Sequence, residues 1–218
     1  MGAVMSLFTV TKHTYKLITR AESATLSSSW RHCVHAMIHA PLPEVKLFGW
    51  IPVKNAVLME MRFDGRIGFP GGYVDDSDSS FEDALLREFN EELGELPKMF
   101  RFLPDDYLFC HMFNEKKLCL HFYCKQVTFQ EFLEIEKRNM EQEYGGYEVL
   151  GTLRVPLYIM YDRRGGLPAF LRNNFIGNSK EQLIEAIRLK ELVSLNFLNE
   201  CVNLSNEIDK LSSESRGI

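Results

Sequence analysis

Apolar residues follow two rhythms along this chain. Val34-His35-Ala36-Met37-Ile38-His39-Ala40 is a short, nearly continuous apolar run and reads as a strand ended by Pro41 and Pro43. Asn55 through Phe63 alternates as a second strand, with Asp64-Gly65 as a hairpin turn signal. Leu118 through Cys124 and Val149 through Leu157 read as further strands. In between the period changes. Leu85, Phe89 and Leu93 repeat every four residues, which predicts a helix from about Ser80 to Leu93. Ser79-Ser80-Phe81-Glu82 reads as its capping box and Gly94 as its stop. Helices are also expected from Thr128 to about Gln142 and from Ser179 onward, each opened by a capping box, Thr128 with Glu131 and Ser179 with Gln182. Strands and helices mixed in this order predict an α/β class fold, an α/β/α sandwich around a mixed β-sheet.

Composition narrows the picture only slightly. The 218 residues are 45% hydrophobic and 25% charged, ordinary values for one domain with a substantial core. A net charge of −5 speaks against bulk, sequence-independent nucleic-acid binding. No apolar run approaches the ~20 residues that span a bilayer, so no membrane partner is expected. A cationic start, an apolar segment and a small-residue cleavage site do not occur together, so no secretory signal is expected. Met1-Gly2-Ala3-Val4-Met5-Ser6 matches the N-myristoylation pattern, which short sequences match often by chance. Residues 1–28 read as an N-terminal extension, 29–200 as the domain and 201–218 as a C-terminal tail ending in a frayed polar stretch. The five cysteines are scattered without a CxxC pair, which predicts buried reduced thiols in an intracellular protein and no structural zinc.

The chemistry concentrates in one place. Gly71-Gly72-Tyr73-Val74 forms a glycine-rich loop ahead of a helix whose Glu88, Glu91 and Glu92 stand at i, i+3 and i+4 on one side. Glu95 extends that face by a turn. An acidic helix face is most often plain solvated surface. Here an apolar stripe runs beside the acids, so the helix packs while its carboxylates meet a cleft. Hard oxygen donors clustered in this way suit Mg²⁺ or Mn²⁺, one to three ions, and diphosphate chemistry uses such sites.

From Arg87 through Gly94 the chain resembles the Nudix box, Gly-x5-Glu-x7-Arg-Glu-U-x-Glu-Glu-x-Gly-U with U apolar. Its first half departs from the pattern. Gly72 to Arg87 is one residue too long, the first glutamate falls near Asp78 or Ser79, and Glu95 with Leu96 replaces the last apolar position. Glu82 is the nearest glutamate, and the capping box accounts for it. The resemblance extends over Trp30-Arg31-His32-Cys33-Val34-His35, Leu47-Phe48-Gly49-Trp50-Ile51-Pro52, Met59 through Gly72, Val149 through Tyr158 and Gly165 through Leu171. These segments look like the Nudix subgroup of snoRNA-decapping, inosine-diphosphate-hydrolysing enzymes. The subgroup implies the Nudix fold, a homodimer, and a nuclear and cytoplasmic location.

Position by position, the resemblance assigns Glu88, Glu91, Glu92 and the Gly71 backbone to the metal. Arg87 orients the acids, and Gly72 belongs to the loop that approaches metal and phosphates. His35, Arg62, Phe69, Tyr73 and Gln182 match residues of the nucleotide pocket. From the residues alone His35 equally fits a core histidine, Phe69 and Tyr73 fit core aromatics, and Gln182 fits its capping role. The substrates implied are (deoxy)inosine di- and triphosphates and capped RNA ends, each a purine joined to a phosphoanhydride. The base is one of the three glutamates or metal-bound water, with His111 a further candidate from a loop opposite the box. Arg163, Arg164, Arg172, Lys116, Lys117 and Lys180 form either a basic rim for RNA or scattered surface charge. The rival reading is a protein-binding module like the Tudor-interacting repair regulator, a member of the same subgroup without an intact acid set. A Nudix enzyme for other nucleoside diphosphate derivatives is a further alternative.

Overall fold

The computed structural model describes residues 15–96, 99–141 and 148–214. In chain order it contains β1 (Lys16–Ile18), α1 (Arg20–Ala24), β2 (Arg31–Leu47), β3 (Ile51–Arg62), β4 (Ile67–Gly68), β5 (Gly71–Tyr73) and α2 (Phe81–Leu93). There follow β6 (Tyr107–Phe113), β7 (Leu118–Gln126), α3 (Phe129–Glu141), β8 (Val149–Arg154), α4 (Leu167–Phe170), α5 (Ser179–Leu189) and α6 (Leu195–Glu214). The strands form one sheet in the order β1-β6-β7-β2-β3-β4, with β5 paired to β2 and β8 to β3. The β2–β7 pair is parallel and the β2–β3 pair antiparallel, so the sheet is mixed as expected.

Alternation along β2 builds two cores, because successive side chains leave a strand on opposite faces. Val34, Ala36 and Ile38 join Leu58 and Tyr123 against Leu85, Phe89 and Leu93 of α2 and Phe132 and Ile135 of α3. Met37 joins Val57, Met59, Phe109 and Phe122 against Leu183, Ala186 and Ile187 of α5 and Leu198 and Cys201 of α6. The expected sandwich is what results, and the four-residue stripe of α2 is its buried face.

Several local expectations are corrected. Pro41 and Pro43 do not end β2, which continues to Leu47 with a register shift between Pro41 and Val45. The parallel partner β7 stops opposite His39, so beyond that point β2 has a free edge where a missing N–H costs little. The cap of α2 is Ser80, not Ser79: its hydroxyl accepts the Asp83 amide at 3.0 Å. Ser179 is the first residue of α5 rather than its cap, and Asn178 precedes it without a side-chain capping bond. The Thr128–Glu131 box forms as expected, with bonds of 2.8 and 3.2 Å. Gly94 does end α2, at φ +88°. Glu95 therefore lies beyond the helix, and the last apolar position of the box is filled by buried Leu96.

Residues assigned to the extension add to the fold: β1 pairs with β6, and Arg20 of α1 binds Glu82. At the other end α6 runs past position 201, with Cys201 and Ser205 buried. All five cysteines are buried and free. Among the described residues no helix is long and apolar enough to cross a membrane. The myristoylation pattern at Gly2 lies outside the described residues, as do the expected end of α3 at Gln142 and the last residues of the polar tail.

Glu82, freed from capping, accepts Arg20 Nη1 at 2.6 Å and the Tyr123 hydroxyl at 3.0 Å, joining α1, α2 and β7. Burial pulls its pKa upward, but the bonds from Arg20, its own amide and Tyr123 outweigh this and hold it below the ordinary value. Glu82→Gln is expected to cost about 1–2 kcal/mol, less than a fully buried pair because Arg20 is more than a third exposed. A depressed carboxylate stabilises above its unfolded pKa and loses that effect as pH falls through its folded value. Urea unfolding should therefore show the gap between wild type and variant at about pH 7 and its closure near about pH 3. A gap independent of pH would show that the pair contributes by packing alone.

Candidate active site

The site begins where β5 is pressed between the sheet and α2. β5 pairs with β2 through Cys33–Tyr73, Val34–Gly72 and His35–Gly71. Gly71 has φ +132°, and a Cβ there would overlap the Val34 carbonyl and stand 2.7 Å from the His35 Cα. Only glycine fits such a backbone-to-backbone approach. The approach aims the Gly71 N–H at Glu92 Oε2, 2.6 Å away. A Cβ on Gly72 would instead press on the Glu88 carboxylate, with Cδ at 2.5 Å. The two glycines therefore set the separation between the loop and the acids of α2.

Arg87 ties the parts together. Its Nε and Nη2 donate to the two oxygens of Asp78 at 3.1 and 2.9 Å, and Nη2 also donates to the Tyr73 carbonyl at 2.9 Å. Nη1 reaches Glu88 at 2.8 Å and Glu91 at 3.4 Å. Asp78 is the carboxylate at the displaced first-glutamate position of the box, and its task here is to grip Arg87. Hydrogen bonds from Arg87 hold Asp78 below its usual pKa, and the bond to Asp78 chiefly raises that of Arg87.

The three glutamates of α2 differ in environment. Glu91 is open to solvent, with 59% of its side chain exposed. Burial raises the pKa of Glu88, opposed by Arg87. Glu92 is only 6% exposed, and burial, followed by the negative charge of Glu60, pushes its pKa well up. Glu60 was not singled out from the sequence. It stands on β3 at 0% exposure, and both of its oxygens lack a hydrogen-bond partner. A signal existed, because a period of two from buried Leu58 puts position 60 on the α2 face. Among the described residues no three acidic, histidine or cysteine side chains stand as a ready-made cation site. Arg87 holds Glu88 and Glu91 in the arrangement seen.

The other expected residues divide. His35 is half-buried with its Nδ1 unpartnered, and burial, then Arg62, lowers its pKa to about 4. Arg62 lies 3.6 Å from Asp64, and its buried Nε makes no hydrogen bond. Gln182 is buried in α5 with its Nε2 unpartnered, which removes the capping explanation for it. Tyr73 is 45% exposed beneath Arg31, whose guanidinium carbon is 4.5 Å from the ring centre. Phe69 is 2% exposed and packs edge-on to Phe122, so the structure does not bring it to an open cleft. His111 lies in strand β6, not a loop; its Nδ1 is 2.9 Å from Asn178 Nδ2, and burial lowers its pKa to about 4. Among the described residues, His111 makes no hydrogen bond to the acids of the box. Of the basic residues, Arg163 and Arg172 pair with Glu200 and Asp209 of α6, each at 2.7 Å. Lys116 and Lys117 sit on the β6–β7 turn.

A family model described as "Nudt16-like: U8 snoRNA-decapping enzyme-like" matches residues 32–193. The chain belongs to this Nudt16-like family. It is 51% identical to the sheep U8 snoRNA-decapping enzyme over 77% of this chain and 86% of that protein. Identity to the Xenopus laevis enzyme is 44%, over 88% and 90%. The human Tudor-interacting repair regulator protein is 39% identical, over 91% and 92%. The sandwich of this Nudt16-like protein is the Nudix fold, and its class is that of the Nudix hydrolases.

The two glycines should respond differently to alanine. Gly71→Ala meets rigid backbone at a positive φ and is expected to cost more than about 4 kcal/mol in urea unfolding or to prevent folding. Gly72→Ala meets the end of a movable side chain, so its stability should change by less than about 1 kcal/mol while the Glu88 carboxylate is displaced. Equal losses of stability in both variants would contradict this account of the loop.

Proposed function

We propose that this Nudt16-like protein is a divalent-cation-dependent pyrophosphohydrolase that cleaves phosphoanhydride bonds in capped RNA 5′ ends and in (deoxy)inosine di- and triphosphates. The observation that carries the reading is the complete Arg87, Glu88, Glu91 and Glu92 set gathered over Gly71 and Gly72. Mg²⁺ or Mn²⁺ fits this donor set, because buried Glu92 and unpartnered Glu60 present carboxylate oxygens that a hard cation prefers. Glu88, Glu91 and Glu92, with the Gly71 backbone, would hold it. When bound, the cation neutralises phosphate charge and makes water more acidic.

The residues of the chain supply the rest. Arg87 keeps Glu88 and Glu91 oriented from one guanidinium, whose position Asp78 fixes from the far side. Exposed Glu91 is suited to accept a proton from attacking water, since 59% of its side chain is open to solvent. Gly71 and Gly72 leave room for diphosphate oxygens beside the acids. His35 and Gln182 carry unpartnered buried nitrogens, and a purine with a 6-oxo group offers the acceptor that the Gln182 amide lacks.

The binding-module reading is favoured by the identity to the human Tudor-interacting repair regulator protein, which spans 92% of that protein. Hydrolysis of inosine diphosphate and of cap-labelled RNA with Mn²⁺ or Mg²⁺ separates the two readings. The wild type should turn over at least one substrate, and Glu91→Gln should lower kcat by about 100-fold or more. No turnover of either by folded protein would leave the binding-module reading standing. Gln182→Leu is expected to raise KM for inosine diphosphate about tenfold with little change in kcat. An unchanged KM would remove Gln182 from the purine pocket.

A further inference from the structure

Glu60 is a buried acid of this region that the ligand set named above does not use. Its strand position opposes Gly68 of β4 and Thr152 of β8, just before the turn that leads into the glycine loop. It is completely buried, and neither carboxylate oxygen has a hydrogen-bond donor. Glu92 and Glu88 are close enough for their charges and that of Glu60 to be felt mutually. Glu92 has one donor, the Gly71 amide, on one of its oxygens. Arg62 moderates the field but does not bond Glu60; its Nε lies 3.6 Å from Asp64 and makes no hydrogen bond. Two carboxylates taken out of water near each other, with a single amide donor for the pair, are strongly disfavoured as anions unless positive charge is supplied. Structural packing gives no reason for an acid here, since a methionine like Met59 or Met61 would fill the same space.

We propose that Glu60 is a further carboxylate of the divalent-cation site, contributed by the sheet opposite Glu92, so that the cation lies between β3 and α2. This rests on the hydrolase reading and extends its ligand set beyond the helix. The site so formed has one wall of sheet and one of helix.

Mn²⁺ alone is the probe, added to the full chain and followed through the paramagnetic resonance signal of free Mn²⁺, with no turnover required. Glu60→Gln should weaken the tightest Mn²⁺ site roughly 10- to 100-fold. Its melting temperature in chelator should equal or exceed that of the wild type, because an unpaired buried acid has gone. Glu60→Met, matched to its neighbours, must show the same loss of affinity, so the test stands if one variant does not fold. Affinity within twofold of the wild type in either folded variant overturns the proposal. If wild type binds Mn²⁺ and Glu91→Gln weakens it while Glu60→Gln does not, only this inference fails. If wild type binds no Mn²⁺, the hydrolase reading fails with it.

Discussion

A carboxylate shut away from water must find its partners inside the protein, and Glu92 finds the Gly71 amide at 2.6 Å. That bond is made only if β5 lies flat against β2, and β5 can do so only because position 71 has no side chain. The bond therefore ties three layers together: the central strand β2, the loop and the helix α2. The apolar stripe of Leu85, Phe89 and Leu93 sets the rotation of that helix, which turns Glu92 inward and leaves Glu91 outward. Loop and helix position each other.

Charge at the site is shared unevenly. Arg87 serves Asp78, Glu88 and Glu91 and the Tyr73 carbonyl, so its guanidinium is fully engaged on the outer side of the cluster. On the inner side Glu92 and Glu60 have the single Gly71 amide between them. The outer acids thus have a guanidinium to bond to, whereas the inner pair has no cation bonded to it among the described residues. Across the sheet, on the α5 face, His35 and Gln182 hold unpartnered nitrogens beside a mainly apolar core.

Much of this was legible in the residues. The period of α2, its stop at Gly94, the Thr128 cap and the Asp64-Gly65 turn were all readable because each rests on contacts within a few residues. The acids were readable for the same reason, since helical spacing alone puts Glu88, Glu91 and Glu92 together. The errors came where neighbours in space decide. Pro41 and Pro43 stay in a strand because β7 has already ended. Glu82 and Gln182 match capping positions by spacing, yet Glu82 is claimed by Arg20, 62 positions away, and Gln182 is buried in α5.

The sequence by itself determined the alternation that makes two-faced strands, the helix that carries the acids and the glycines that admit a close approach. These follow from backbone geometry and local periodicity. Only the tertiary structure decided that Asp78 grips Arg87, that Phe69 lies in the core, and that Glu60 lies within the field of Glu92. Burial and partner choice depend on which distant segments arrive at the same place, and no local rule specifies that.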